Sequence, residues 1–336
     1  MKQLTTLLAL TSLLAGCGQT AHDTPATLAM TSQATRTLPT GTSGGAATAG
    51  GVTRSYEVYS PPSTAGKARP LVVMLHGCTQ DPADFAAGTQ MNALADAQNF
   101  VVLYPAQDSS ANANKCWNWF ESAHQTRGQG EPAVIKAMVD QIKAATPIDE
   151  RRVYVAGISA GGAMSVMMAA TYPDVFAANG VSAGLEYQAG TDLVSGVAAM
   201  SLGGPNPALQ GAAAFRASGS QRRVVPSIVF HGTNDVTVAP VNGQQAAEQS
   251  LHTADLADDG LNNGSVSSAG AVTTAGAVPG GKAYTVTAYA GGQVELWSIS
   301  GMRHAWSGGN AAGSYTDPQG PDASAEMWRF FSTHHR

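Results

Sequence analysis

The chain has 336 residues, of which 43% are hydrophobic and only 12% charged, with 38 glycines. That balance fits one large packed domain, or two modest ones, with many tight turns, and it excludes a disordered or fibrous chain. The formal net charge of -5 and the scatter of the 18 Lys and Arg leave no basic patch for nucleic acid.

The N-terminus reads as a targeting segment. Lys2 supplies a positive start, and Leu4 to Leu14 is an apolar run too short to span a bilayer permanently. The run ends in Leu14-Ala15-Gly16-Cys17, which resembles the signal of bacterial lipoproteins, so residues 1–17 are expected to end at a lipidated Cys17 that becomes the new first residue. Such a protein is held at the cell surface or outer membrane by its lipid. An ordinary secretory peptide cut near the same place is the alternative, and it gives a secreted protein. Residues 18–53 are rich in Thr, Ala, Gly and Ser without apolar periodicity, which predicts a flexible tether. The folded domain is expected over residues 54–336.

Within it, strand and helix patterns alternate. Tyr56 to Tyr59 alternates like a strand, and Leu71 to Leu75 is a continuous apolar run suited to a strand buried on both faces. Ala86 to Gln98 reads as a helix, Phe100 to Tyr104 as a second buried strand, and Pro132 to Ala145 as a helix with Val134, Met138 and Ile142 on one face. Arg152 to Ala156 is the next strand, followed by a helix over Gly162 to Thr171. Val225 to Phe230, Lys282 to Ala290 and Val294 to Ser300 are further strands, and Ala323 to His334 is a closing helix. The stretch Asp258 to Lys282, full of Gly, Ala, Ser and Thr, predicts a surface loop between core elements. Repeated alternation predicts an α/β fold with an open, mostly parallel central sheet flanked by helices.

The chemistry centres on Gly157-Ile158-Ser159-Ala160-Gly161, which directly follows a strand and opens a helix. A short glycine pattern is weak alone, but in this context it forms a nucleophile elbow, where small neighbours let a sharp turn lift the Ser159 hydroxyl to the sheet edge. A serine hydroxyl needs a base to take its proton and a carboxylate to orient that base, in the chain order Ser, acid, His. Asp235 follows the strand ending at Phe230, and His304 follows the strand ending at Ser300, so both fall at strand carboxyl ends. His231 suits a turn role, and His334 and His335 lie in a terminal helix or tail. Backbone donors for an oxyanion are expected from the Ala160 N–H and from Cys78 N–H, on the loop Leu75-His76-Gly77-Cys78. With Cys17 set aside, Cys78 and Cys116 remain as an even pair in an exported chain; a bridge between them is open until geometry decides it. Trp117, Trp119 and Trp306 are candidates for an aromatic wall along the substrate site, with core packing as the alternative. No metal-ligand spacing and no phosphate-cradling loop appears, so no metal and no cofactor are expected.

The blocks His76-Gly77-Cys78-Thr79-Gln80, Cys116-Trp117-Asn118-Trp119-Phe120, Gly157 to Gly162, Ala170-Thr171-Tyr172-Pro173 and His304-Ala305-Trp306-Ser307-Gly308-Gly309 together resemble the polyhydroxybutyrate depolymerase family of esterases, nearly end to end over residues 54–336. The resemblance implies an α/β-hydrolase fold and hydrolysis of hydroxyalkanoate esters, with Ser159, Asp235, His304 and the Cys78 amide at the family's functional positions. Some relatives in this family act as feruloyl or acetyl-xylan esterases, which is the alternative substrate reading. A surface lipoprotein that keeps the scaffold without catalysis is the alternative of another class. Met302-Arg303 departs from the small residues usual before the family's histidine and is expected to narrow that side of the cleft.

Overall fold

The computed structural model describes residues 38–62 and 66–336; the proposed signal and Cys17 lie outside the described residues. Twelve strands and eight helices follow in chain order among these residues. They are β1 (Gly41–Ala49), β2 (Val52–Ser60), β3 (Arg69–Leu75), α1 (Pro82–Thr89), α2 (Met91–Gln98), β4 (Val101–Pro105), α3 (Gly130–Ala145), β5 (Ile148–Ile158), α4 (Ala160–Thr171) and β6 (Ala178–Ser182). The second half holds α5 (Leu193–Leu202), α6 (Pro207–Ala217), β7 (Ser227–Gly232), α7 (Val241–Asp259), β8 (Val272–Ala277), β9 (Ala283–Tyr289), β10 (Val294–Ile299), β11 (Trp306–Ser307), β12 (Thr316–Asp317) and α8 (Ala323–Ser332).

Ten strands form one sheet in the order β1-β2-β4-β3-β5-β6-β7-β10-β9-β8. From β4 through β10 every neighbouring pair is parallel. The outer pairs, β1 with β2, β2 with β4, and β10 with β9 with β8, are antiparallel. The apolar run of β3 explains its central place. Leu71, Val73 and Leu75 face a core built with α3, α4 and α7, while Val72 and Met74 face a second core with α1, α2 and α8. A strand whose successive side chains point to opposite faces must be apolar throughout when both faces are covered. This is the α/β-hydrolase arrangement, with a mostly parallel sheet flanked by helices.

Three boundaries differ from expectation. Gly41–Ala49, within the segment read as a tether, pairs in full register with β2, so regular structure begins well before residue 54. Only Ala47 of this strand is fully buried, which is why its small polar residues carry no apolar signal. The predicted loop from Asp258 to Lys282 contains β8, an exposed edge strand held by backbone bonds to β9. The helix expected over Ala86 to Gln98 is two helices, broken where Gln90 takes a left-handed φ of 55° and caps the first through its N–H to the Ala86 carbonyl.

Candidate active site

Three strand ends supply the site. β5 runs straight into Ser159, which sits at φ 57° and ψ -123° before α4 begins at Ala160. This strained backbone, rare for a residue with a side chain, presents the hydroxyl at the turn's apex. The turn is possible because its flanks are glycines. A Cβ on Gly161 would overlap the Leu75 carbonyl oxygen, and one on Gly157 would overlap the Gly161 carbonyl. The elbow is thus wedged against the end of β3, and the Ser159 N–H donates to the Ser182 carbonyl of β6 at 2.9 Å.

Asp235 lies on the turn after β7, and His304 on the loop after β10. The two loops are stitched together by Thr233 N–H to the Ile299 carbonyl and Asn234 N–H to the Met302 carbonyl, both 2.9 Å. This brings His304 Nδ1 to 2.7 Å from Asp235 Oδ2. Asp235 Oδ1 accepts from the N–H groups of Thr237 and Val238, both at 2.9 Å. Burial opposes ionisation of Asp235, but its bonds to His304 and the Val238 amide outweigh burial and hold the carboxyl below the ordinary carboxylate range. An ionised Asp235 can only accept, so Nδ1 of His304 donates to it and Nε2 is the nitrogen left to act as a base when the ring is neutral. His231 is buried beneath this turn, its Nε2 donating to the Val238 carbonyl at 2.9 Å, the turn role expected of it.

Ser159 and His304 line one cleft of about 250 Å³ with Cys78, Thr79, Met200, Thr237 and Tyr315. Cys78 and Cys116 are joined by a disulfide. Among the described residues, the N–H groups of Cys78 and Ala160 donate to no protein group, which leaves both free for a ligand oxygen. The loop bearing Cys78 is anchored by His76, whose Nε2 accepts the Gln107 N–H at 3.1 Å and whose Nδ1–H donates to the Gly77 carbonyl at 2.7 Å. Burial pushes the His76 imidazole down to about 4, so it is neutral. Gln107 in turn donates to the Cys116 carbonyl and, at 2.5 Å, to the fully buried Glu131. Glu131 also takes the Arg54 guanidinium at 3.0 Å and the Asn118 N–H at 2.7 Å. Arg54, Gln107 and Glu131 therefore brace the loop from beneath.

The tryptophans take the other reading. Trp117 and Trp306 are fully buried and Trp119 is 4% exposed, and none lines the cleft. Trp117 packs on His76, Trp119 edge-on to Phe120, and Trp306 edge-on to Phe85 with its Nε1–H on Ser324. The aromatic group at the cleft is instead Tyr315, which sits edge-on to His304 and hydrogen-bonds Thr79 at 3.1 Å. Met302 is also buried in the core and does not narrow the cleft, while Arg303 is exposed.

The family model described as "Esterase PHB depolymerase" matches residues 54–270. The chain belongs to this esterase family. Poly(3-hydroxyalkanoate) depolymerase C of Paucimonas lemoignei is 46% identical to this family member over 190 residues, covering 56% of this chain and 46% of that protein. Poly(3-hydroxybutyrate) depolymerase of Ralstonia pickettii is 31% identical over 269 residues, covering 76% of this chain and 51% of that protein. The chain thus spans about half the length of these relatives. Among solved structures, an acetyl xylan esterase from Aspergillus awamori matches with a TM-score of 0.62 at 21% identity, covering 83% of this PHB depolymerase-family chain and 94% of that one. At that identity the likeness concerns the fold.

Proposed function

We propose that this chain hydrolyses carboxylic esters of hydroxyalkanoates, the polymer or its oligomers, through an acyl-enzyme on Ser159. The observation that carries the reading is the 2.7 Å bond from an Nδ1-protonated His304 to an ionised Asp235, on a cleft shared with the elbow serine. His304 Nε2 takes the Ser159 proton as the hydroxyl oxygen attacks the ester carbonyl. The oxyanion rests on the Cys78 and Ala160 N–H groups, each such donor being worth ~3 kcal/mol. His304 then gives the proton to the leaving alcohol. Water enters, is deprotonated by the same nitrogen and releases the acid, while Asp235 holds the ring and offsets its charge. Residues 1–17 support export, with Cys17 as a lipid anchor to the cell surface.

Ser159→Ala should abolish turnover of a nitrophenyl butyrate and of a hydroxybutyrate oligomer while leaving the melting temperature close to wild type. Residual activity above about a hundredth of wild type would overturn the assignment, since losing a nucleophile of this kind costs roughly a millionfold. The substrate half is tested separately by comparing a hydroxybutyrate oligomer with methyl ferulate; preference for the ferulate would overturn it.

A further inference from the structure

Beside the Ser159 cleft lies a second recess of about 520 Å³ that shares His304 and Tyr315 with it. Its lining carries two cationic side chains and one acidic one, in a chain of net charge -5. Lys282, Arg303 and Asp317 face it, and Lys282 Nζ lies 3.4 Å from Asp317 Oδ2. That pair leaves the exposed Arg303 guanidinium without an acidic partner among the described residues. An unpaired guanidinium is a planar fork of donors matched to a carboxylate.

The recess shares His304 with the Ser159 cleft, so an ester seated at Ser159 can extend into it. The same imidazole that takes the Ser159 proton must hand it to the departing alkoxide, so the alcohol portion of the ester lies against His304. We propose that this recess is a subsite for a free carboxylate on the alcohol portion, with Arg303 as its specificity-determining residue. The substrate class is then a hydroxyacyl ester whose leaving unit ends in a carboxylate, as in an oligomer cut one unit from its acid terminus. The step balances as ordinary hydrolysis: the acyl carbon–oxygen bond breaks, His304 protonates the leaving oxygen, and water supplies the hydroxyl of the new acid. The released hydroxy acid carries its carboxylate away from Arg303. This inference rests on the hydroxyalkanoate esterase reading above and sharpens it from polymer to acid-terminated oligomer.

The test uses the whole protein and two hydroxybutyrate trimers, one with a free terminal carboxyl and one capped as its methyl ester. The readout is the ratio of kcat/KM for the acid over the capped trimer. Wild type should favour the acid, Arg303→Gln should lower that ratio roughly threefold to tenfold through KM, and Arg303→Glu should lower it further. Added salt should lower the wild-type ratio in the same direction. A ratio that neither variant moves overturns the carboxylate subsite, and turnover of the capped trimer then leaves the hydroxyalkanoate reading standing. If wild type cleaves neither trimer but still cleaves a nitrophenyl ester, both readings fall.

Discussion

At the scale of single residues, the site combines positions chosen for chemistry with positions chosen for space. In the proposed mechanism Ser159, Asp235 and His304 carry the side chains that act, whereas a Cβ on Gly157 or Gly161 would strike backbone that has no room to yield. Gly161→Ala is the sharper test of this distinction. The methyl would meet the Leu75 and His76 carbonyls at the end of β3, so either the sheet or the elbow must move. We expect a loss of stability on the order of 3 kcal/mol and a fall in activity larger than that loss explains, read by denaturant melts and kcat/KM on the same sample. Wild-type values for both would show that the turn is looser than its packing implies. The acting residues and the glycines were legible because short motifs announce them after strand-like runs. Tyr315, Gln107 and Glu131 were not. They lie outside the motif blocks, Gln107 nine residues before the Cys116 whose carbonyl it binds and Glu131 13 after Asn118, and only folding shows that they meet the site. The three tryptophans erred the other way, since the same ring chemistry suits a cleft wall or a core and only burial separates the two.

At the scale of elements, the strands that carry the site were the easiest to see, because burial on both faces leaves an unbroken apolar run. β1 and β8 were invisible for the opposite reason. Both pair mainly through backbone, with side chains largely exposed, so nothing selects an apolar pattern. α5 shows a third case. Leu193, Val194, Val197 and Leu202 are all exposed on a helix without a charged residue, so the apolar stripe that normally marks a helix is absent. In the proposed mechanism one oxyanion donor sits on the loop closed by Cys78–Cys116, whose cysteines are 38 residues apart. Chain-entropy estimates put a closure of that length at roughly 4 kcal/mol. The bridge also tethers the free Cys78 N–H, while His76 and Gln107 hold the loop by hydrogen bonds alone. Reduction should therefore lower turnover before it unfolds the protein, and lower the melting temperature as well. The check is esterase activity and ellipticity followed together through a reductant series. Full activity with both thiols free would separate the bridge from the oxyanion donors.

At the scale of the whole molecule, two buried titratable groups set opposite limits on stability across pH. His76 is held neutral in the folded state, with burial pushing it down to about 4 from an ordinary 6.5. Its folded value is the depressed one, so its contribution is complete above 6.5 and is lost as pH falls towards 4, where the unfolded chain already binds the proton and the folded one does not. Glu186 works in the other direction. It is fully buried on the stretch after β6, its two carboxyl oxygens have no hydrogen-bond partner among the described residues, and burial, with Glu248 adding repulsion, pushes it up to about 8 from an ordinary 4.5. Its folded value is the raised one, so the folded state is unpenalised below 4.5 and loses stability as pH rises from there through 8. Each group has a limiting slope of ~1.4 kcal/mol per pH unit within its window. The two opposite slopes cancel where the windows overlap, between pH 4.5 and 6.5, so the contribution of these two groups is level there and declines on both flanks. Glu186→Gln isolates the alkaline flank, because the amide keeps the shape and removes the charge. Denaturant melts at pH 5 and pH 8.5 should show the variant gaining on wild type as pH rises, with the acid flank, to which His76 contributes, unchanged. Parallel pH profiles for the two proteins would mean that Glu186 finds a proton donor or water in its pocket and ionises without cost.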